Sequence, residues 1–184
     1  AFSRQGCADQ VEILEDGTIP QTEITSCGLN EGALPARGKY ESYIACHLTE
    51  ADREKVGLVR GMGGGPGDEK PKLPESMPYI TEERDENYEH GCKPYICNMR
   101  TGAVAGFKYF EFDGTEREIV LELRGIGKVE ISVDAPDGDV VAEAKNTSET
   151  WSAVSTALKK IKGVHALYVK CVDGTLDFAS IEMK

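Results

Sequence analysis

Residues 163–184 read GVHALYVKCVDGTLDFASIEMK. Two apolar runs flank the Asp173-Gly174 pair, and each alternates. Leu167, Val169 and Cys171 share one face of an extended segment; Ala179, Ile181 and Met183 share one later. Alternation with period two is the mark of a half-buried strand. An Asp-Gly pair between two such runs predicts a hairpin turn. The same pattern recurs upstream at short intervals. It appears in KPYICNM (93–99), AGFKYFEF (105–112), REIVLELRG (117–125), GKVEISVDA (127–135) and VVAEAK (140–145). Pro136-Asp137-Gly138-Asp139 is a turn between the last two, since proline presets φ and glycine accepts a left-handed conformation.

The chain has 184 residues, enough for one domain with a real core, or a domain with an appendage. Seven or more short strands punctuated by turn residues, with no βαβ rhythm, predict an all-β fold, an antiparallel β-sandwich. The segment NTSETWSAVSTALKKIKG (146–163) has some helix formers. Its β-branched residues and its place among strands favour a loop followed by a strand. Earlier, QVEILEDGTI (10–19) and QTEITS (21–26) are two further candidate strands. KYESYIACHL (39–48) alternates with Tyr40, Ser42, Ile44 and Cys46 on one side. TEADREKV (49–56) offers one helical turn.

Composition excludes several functions. Thirty-two acidic residues against 21 basic ones give a net charge of −11. Phosphate polymers and anionic membranes repel such a surface, so neither nucleic acid nor membrane is an expected partner. No run of about 18 apolar residues is present. The first residues, AFSRQGCADQVEIL, show neither an initiator methionine nor the basic and apolar regions of a signal peptide, and read as the severed end of something longer. The six cysteines form no C-x-x-C pair, and three histidines are too dispersed to complete a zinc site. Free thiols are expected; they lean toward a reducing, cytoplasmic compartment, although a secreted bacterial protein stays open.

Catalytic signatures are missing. There is no G-x-S-x-G, and no histidine has a partner at triad spacing. RGMGGGPGDEK (60–70) is glycine-rich, but Asp68 and Glu69 stand where a phosphate would sit, so it reads as a surface loop. One residue stands out. Trp151 is the single tryptophan and lies in a polar stretch, NTSETWSAV. An indole in polar surroundings suits the stacking of a sugar ring, with carboxylates or amides fixing the hydroxyls. The same indole also suits a cap on the sandwich edge. Tyr79, Tyr88 and Tyr95 are candidates to face it, and Asp177 is a candidate hydroxyl acceptor.

Taken in order, PYICNMRTGAVAGFKYFEFDG, LRGIGKVEISVDAPDGDVV, the lone Trp151 and GVHALYV…DGTLDFASIEM resemble carbohydrate-binding module family 6. The version resembled is that at the C-terminus of glycoside hydrolase family 43 enzymes. FSRQGCADQVEILEDGTIPQTEITSCGLN, YIACHL and MPYIT resemble the junction behind those enzymes' catalytic propeller. The resemblance implies a jelly-roll, galactose-binding-like sandwich over residues 37–184. Residues 1–36 become a junction packing against a propeller that holds all the catalytic residues. It implies a non-catalytic module binding xylan or arabinoxylan, or else an accessory domain that buttresses the propeller or mediates oligomerisation. Trp151 matches the family's stacking tryptophan and Tyr88 is the candidate facing aromatic. Asp177 stands at the family's asparagine, keeping an acceptor but losing the amide donors. The family's structural calcium draws on carboxylates that YIAC and Ala179 do not supply, which argues against calcium at that site; no cofactor is expected.

Overall fold

A computed structural model describes residues 8–50, 77–88 and 90–184. Nine strands run through them in one connected sheet: β1 Leu34–Pro35, β2 Gly38–Glu41, β3 His47–Thr49, β4 Tyr79–Arg84, β5 Cys92–Arg100, β6 Val104–Phe112, β7 Glu118–Val133, β8 Val140–Ala157 and β9 Gly163–Met183. Among the described residues the only helix is a 3-10 turn, Ser42–Ile44.

The three last strands build the molecule. They are 16, 18 and 21 residues long, well beyond an ordinary strand. β7 pairs antiparallel with β8 and with β9 along nearly its whole length. The other edge of β9 is taken in succession by β6 (residues 163–170), β5 (175–178) and β2 (180–183). β5 and β6 follow each other through a tight turn but do not pair; each belongs to a different half of β9. The sheet therefore folds over at the middle of its long strands, and its halves face each other as a β-sandwich. Phe107 of β6 and Phe178 of β9 meet edge to face across that fold, with ring centres 6.1 Å apart.

The fold-over is where sequence expectation and structure part. Asp173-Gly174 is not a hairpin turn: it is a bend within one strand. Likewise Gly125 and Gly127 do not separate two strands; they kink β7 opposite that bend. The backbones touch there. Gly174 has φ +80°, and a Cβ on it would collide with the Ile126 carbonyl. A Cβ on Gly125 (φ +104°) would lie 2.5 Å from the Thr175 carbonyl oxygen. Only glycine allows that conformation and that approach together. A D-G pair read locally means a turn; here the continuous ladder to β7 overrides it.

Other expectations shift as well. The 146–163 segment is mostly strand, continuous with 140–145. The two strands expected at 10–19 and 21–26 do not form; residues 8–33 are irregular and clip onto β6. Glu23 binds Lys108 Nζ at 2.6 Å and the Tyr109 hydroxyl at 2.7 Å, and Ser26 N–H donates to the Lys108 carbonyl. The strand expected over 39–48 breaks after Glu41, because Ser42 turns inward: its hydroxyl donates to the Phe178 carbonyl (2.6 Å) and accepts from Ile96 N–H. One parallel pairing, Leu34 opposite Phe110, enters the otherwise antiparallel sheet. Of the helical turn expected at 49–56, all but Thr49 and Glu50 lies outside the described residues, as does the 60–70 loop.

The core is mainly apolar, with Ser42 buried in it. Phe107, Phe110, Phe178, Ile119, Leu121, Leu123, Ile131 and Leu167 have no solvent exposure. In β7 the alternation is strict, with Ile119, Leu121 and Leu123 inward and Val120, Glu122 and Arg124 outward. The five described cysteines, Cys27, Cys46, Cys92, Cys97 and Cys171, are free thiols.

Candidate functional site

The outer face of the sheet half beyond the bend carries the candidate residues. β5 turns Ile96 into the core and so sends Lys93, Tyr95 and Cys97 to the outer face. β4 pairs with β5 so that Glu83 is opposite Lys93. On β9 Asp177 is opposite Arg124 of β7, and the bulge of β7 against β8 sets Trp151 near Arg124. Five strands thus contribute to one face.

Trp151 is partly buried at its centre. Its Nε1–H donates to Glu83 Oε1. Tyr95 meets it edge to face, with ring centres 5.3 Å apart. Two cations lie over the indole: Lys93 Nζ is 4.0 Å and Arg124 Cζ 4.4 Å from the ring centre. The negative face of an indole attracts cations at such distances. Each cation is also ion-paired. Arg124 donates from Nε (3.0 Å) and Nη2 (2.7 Å) to Asp177 Oδ2, and from Nη1 to Glu83 Oε2 at 2.8 Å. Lys93, its side chain 4% exposed, binds Glu122 Oε1; Glu122 also accepts from the Ser180 hydroxyl.

This wiring shifts the acid–base balance of the face. Burial opposes ionisation of Glu83, but the hydrogen bonds from Trp151 and Arg124 outweigh it and hold its carboxyl below the ordinary range. Burial acts against Glu122 in the same way, and Lys93 overrides it. Tyr88 in the β4–β5 turn is pushed up to about 12, first by burial and then by the charges of Glu41 and Glu122. Glu41 is raised by burial, and its Oε2 is buried without a hydrogen-bond partner.

The structure brings the three sequence candidates near one another, but in unequal roles. Trp151 and Asp177 both touch Arg124. Tyr88 stands farther off, with Lys93 Nζ 6.0 Å from its ring; the aromatic in contact with Trp151 is Tyr95. Asp177 is fully engaged: besides Arg124, its Oδ1 accepts from Asn98 N–H at 3.0 Å, holding Asn98 in a left-handed conformation at the β5 bulge. Glu83, Lys93, Arg124 and Glu122 went unread in the sequence. The available signal was a lysine inside an otherwise apolar strand and an arginine just before a glycine kink. Beside the Arg124–Asp177 pair, a depression of about 470 Å³ is lined also by Gly125, Ile126, Glu149, Thr175 and Leu176. Among the described residues no group of three His, Cys, Asp or Glu side chains is arranged to hold a metal ion.

The fold is a β-sandwich like that of solved family 6 carbohydrate-binding modules. A family 6 carbohydrate-binding module from Clostridium cellulolyticum, solved with xylose, superposes at TM-score 0.56 over 82% of this chain and 98% of its own, at 11% identity. A glycoside hydrolase family 43 arabinoxylan arabinofuranohydrolase from Bacillus subtilis, solved with cellotetraose, superposes at TM-score 0.63 over 96% of this chain and 33% of its own, at 14% identity. In sequence the chain is 36% identical over 171 residues to a xylosidase/arabinosidase of Thermoclostridium stercorarium. That match covers 91% of this chain and a third (33%) of the relative's length. No family model matches the chain.

Proposed function

We propose that this chain is a non-catalytic carbohydrate-binding module of a plant-glycan-degrading glycoside hydrolase, holding xylan- or arabinoxylan-type polysaccharide at the Trp151 face. The observation that carries the reading is the constellation itself. It joins a partly exposed indole edge-locked by Glu83, a second aromatic at 5.3 Å, and planar guanidinium and carboxylate groups beside an open depression. Sugars are held by such combinations of apolar ring faces and bidentate polar groups. The relative's description as a xylosidase/arabinosidase supports the sugar class.

The strandless segment 8–33 supports a partner in the same parent. Val11, Ile13, Ile19, Ile24 and Leu29 are each more than half exposed there. We propose that residues 1–36 form a junction and that these side chains lie against the parent's catalytic propeller, with 37–184 as the binding domain.

A second reading has its own observation. Lys93 and Arg124 both lie against the indole, and Asp177 already accepts from Arg124 and from Asn98 N–H, which suits an accessory domain that braces the hydrolase without touching sugar. Titration calorimetry with xylo- and arabino-oligosaccharides on this chain and on Trp151→Ala separates the two. Sub-millimolar binding lost in the variant supports the sugar site. An absence of heat with every glycan, from a chain that unfolds cooperatively, overturns it in favour of the brace.

A further inference from the structure

We propose that Glu83 is a specificity-determining residue of this face: a clasp, carried on edge strand β4, that governs whether the Trp151 ring is open to a sugar. The proposal rests on the reading of that face as a glycan site.

A pyranose stacks on an indole only where a ring face is free. Here cations stand 4.0 and 4.4 Å from the ring centre, at contact distance, so no ring fits between them and the indole. On the face that Arg124 covers, the guanidinium must withdraw before sugar enters. Lys93 is held by Glu122 in the middle of the sheet half and is almost wholly buried. Arg124 is the movable one, with a side chain 26% exposed. Its contacts divide into two kinds. Asp177 is on β9, flanked by fully packed Leu176 and Phe178, and cannot shift without the core. Glu83 is different. Among the described residues β4 pairs only with β5, and none of its six residues is buried.

Glu83 makes two bonds at once, one oxygen to Trp151 Nε1 and the other to Arg124 Nη1. A shift of β4 therefore frees the indole edge and one side of the guanidinium together. Arg124 keeps its two bonds to Asp177 and can swing off the ring with its charge still compensated. The donors released, Trp151 Nε1–H and Arg124 Nη1–H, are then available to sugar hydroxyls. Affinity is reduced by the fraction of time the clasp is shut.

Because Trp151 is the single tryptophan, its fluorescence reports this face alone. The experiment is acrylamide quenching of the ligand-free chain as wild type, Glu83→Gln, Glu83→Ala and, as a control in the exposed turn, Glu86→Ala. It is paired with calorimetry against xylo-oligosaccharides. Expected is greater quenching in Glu83→Ala than in wild type, with Glu83→Gln between them, since an amide oxygen still accepts from the indole. Xylo-oligosaccharide affinity in Glu83→Ala should rise by roughly tenfold, the effect of removing one or two competing hydrogen bonds. Unchanged quenching in a cooperatively folded Glu83→Ala overturns the clasp. Raised quenching with no glycan heat from any variant overturns the glycan reading instead, and the gating role with it. Raised quenching with weakened binding also overturns the proposal, since Glu83 would then be a sugar ligand rather than a clasp.

Discussion

Two neighbouring regions of this sandwich are built by opposite means. At the bend, Gly125, Gly127 and Gly174 hold the strands together through the absence of side chains. On the adjoining outer face, Glu83, Lys93, Glu122, Arg124, Trp151 and Asp177 tie the paired strands together through side chains. The bend has a single solution, because backbone meets backbone. The face has several, because each charge has more than one partner. Changes that define the fold therefore concentrate at the bend, while the face can lose or exchange members and change what it binds without unfolding the domain.

The sharpest way to break that contrast is Gly174→Val. The substitution puts a β-branched residue at φ +80° and drives its Cβ into the Ile126 carbonyl. A destabilisation of about 3 kcal/mol or more is expected, enough to leave much of the chain unfolded. Urea unfolding followed by circular dichroism measures it; a loss below 1 kcal/mol would show that the strands cross elsewhere. Phe107→Ala tests the fold-over that the bend creates. Phe107 has no exposure and bridges the halves through Phe178. A loss of about 3–5 kcal/mol is expected, the usual range for a buried phenylalanine. Loss of one half alone, seen as two separate transitions, would contradict a single folded sheet.

The face should respond more gently and asymmetrically. Glu122→Gln leaves the ammonium of Lys93, 4% exposed, without its carboxylate. A loss of about 1–3 kcal/mol follows, the penalty of an unpaired buried group. Lys93→Met leaves Glu122, 24% exposed, to Lys39 and solvent, so the loss should be smaller. The double variant Lys93→Met with Glu122→Leu should lie close to wild type, because apolar isosteres commonly replace buried ion pairs at little cost. A double variant worse than Glu122→Gln alone would mean that the pair contributes net stability.

The same division explains what the sequence made legible. The strands themselves were plain, because alternation is a local property: Ile119, Leu121 and Leu123 announce their shared face. The sandwich class followed from their spacing. Continuity across the bend was hidden, because Asp173-Gly174 satisfies the local rule for a hairpin equally well, and only the distant Ile126 carbonyl decides between them. Residues 10–19 alternate as convincingly as any strand, yet they join no strand among the described residues, and Val11, Ile13 and Ile19 remain outside. On the face, Trp151 was conspicuous through rarity and Asp177 through resemblance. Glu83 and Arg124 are ordinary surface residues until the register sets them against the same indole. Tyr95 and Tyr88 are indistinguishable by composition; strand alternation in β5 favours Tyr95, the turn at 85–91 keeps Tyr88 to one side.

The smallest effects expected are those of pH, and they set the face against a third pin elsewhere in the fold. His165 Nδ1 lies 2.7 Å from Asp134 Oδ2 and its Nε2 is 3.2 Å from the Lys162 carbonyl, which ties the β7–β8 turn to the start of β9. The Asp134 contact raises the histidine pKa above its ordinary value, against an opposing effect of burial. A raised folded pKa means that the contribution is fully present below the unfolded value of about 6.5 and is lost as pH rises through the folded one. Glu83 behaves inversely. Its depressed pKa gives a contribution present above the unfolded value, about 4.3, and lost as pH falls through the folded one. Each group is partly exposed, so each effect should stay below about 1 kcal/mol. Unfolding free energies measured from strongly acidic to mildly alkaline pH should therefore decline at both ends. Asp134→Asn should flatten the alkaline side alone and Glu83→Gln the acid side alone. Trp151 quenching should follow only the acid limb, since His165 does not touch the indole. A quenching change that tracks the alkaline limb would show that the two regions are coupled through the strands they share, and that the face is not independent of the scaffold beneath it.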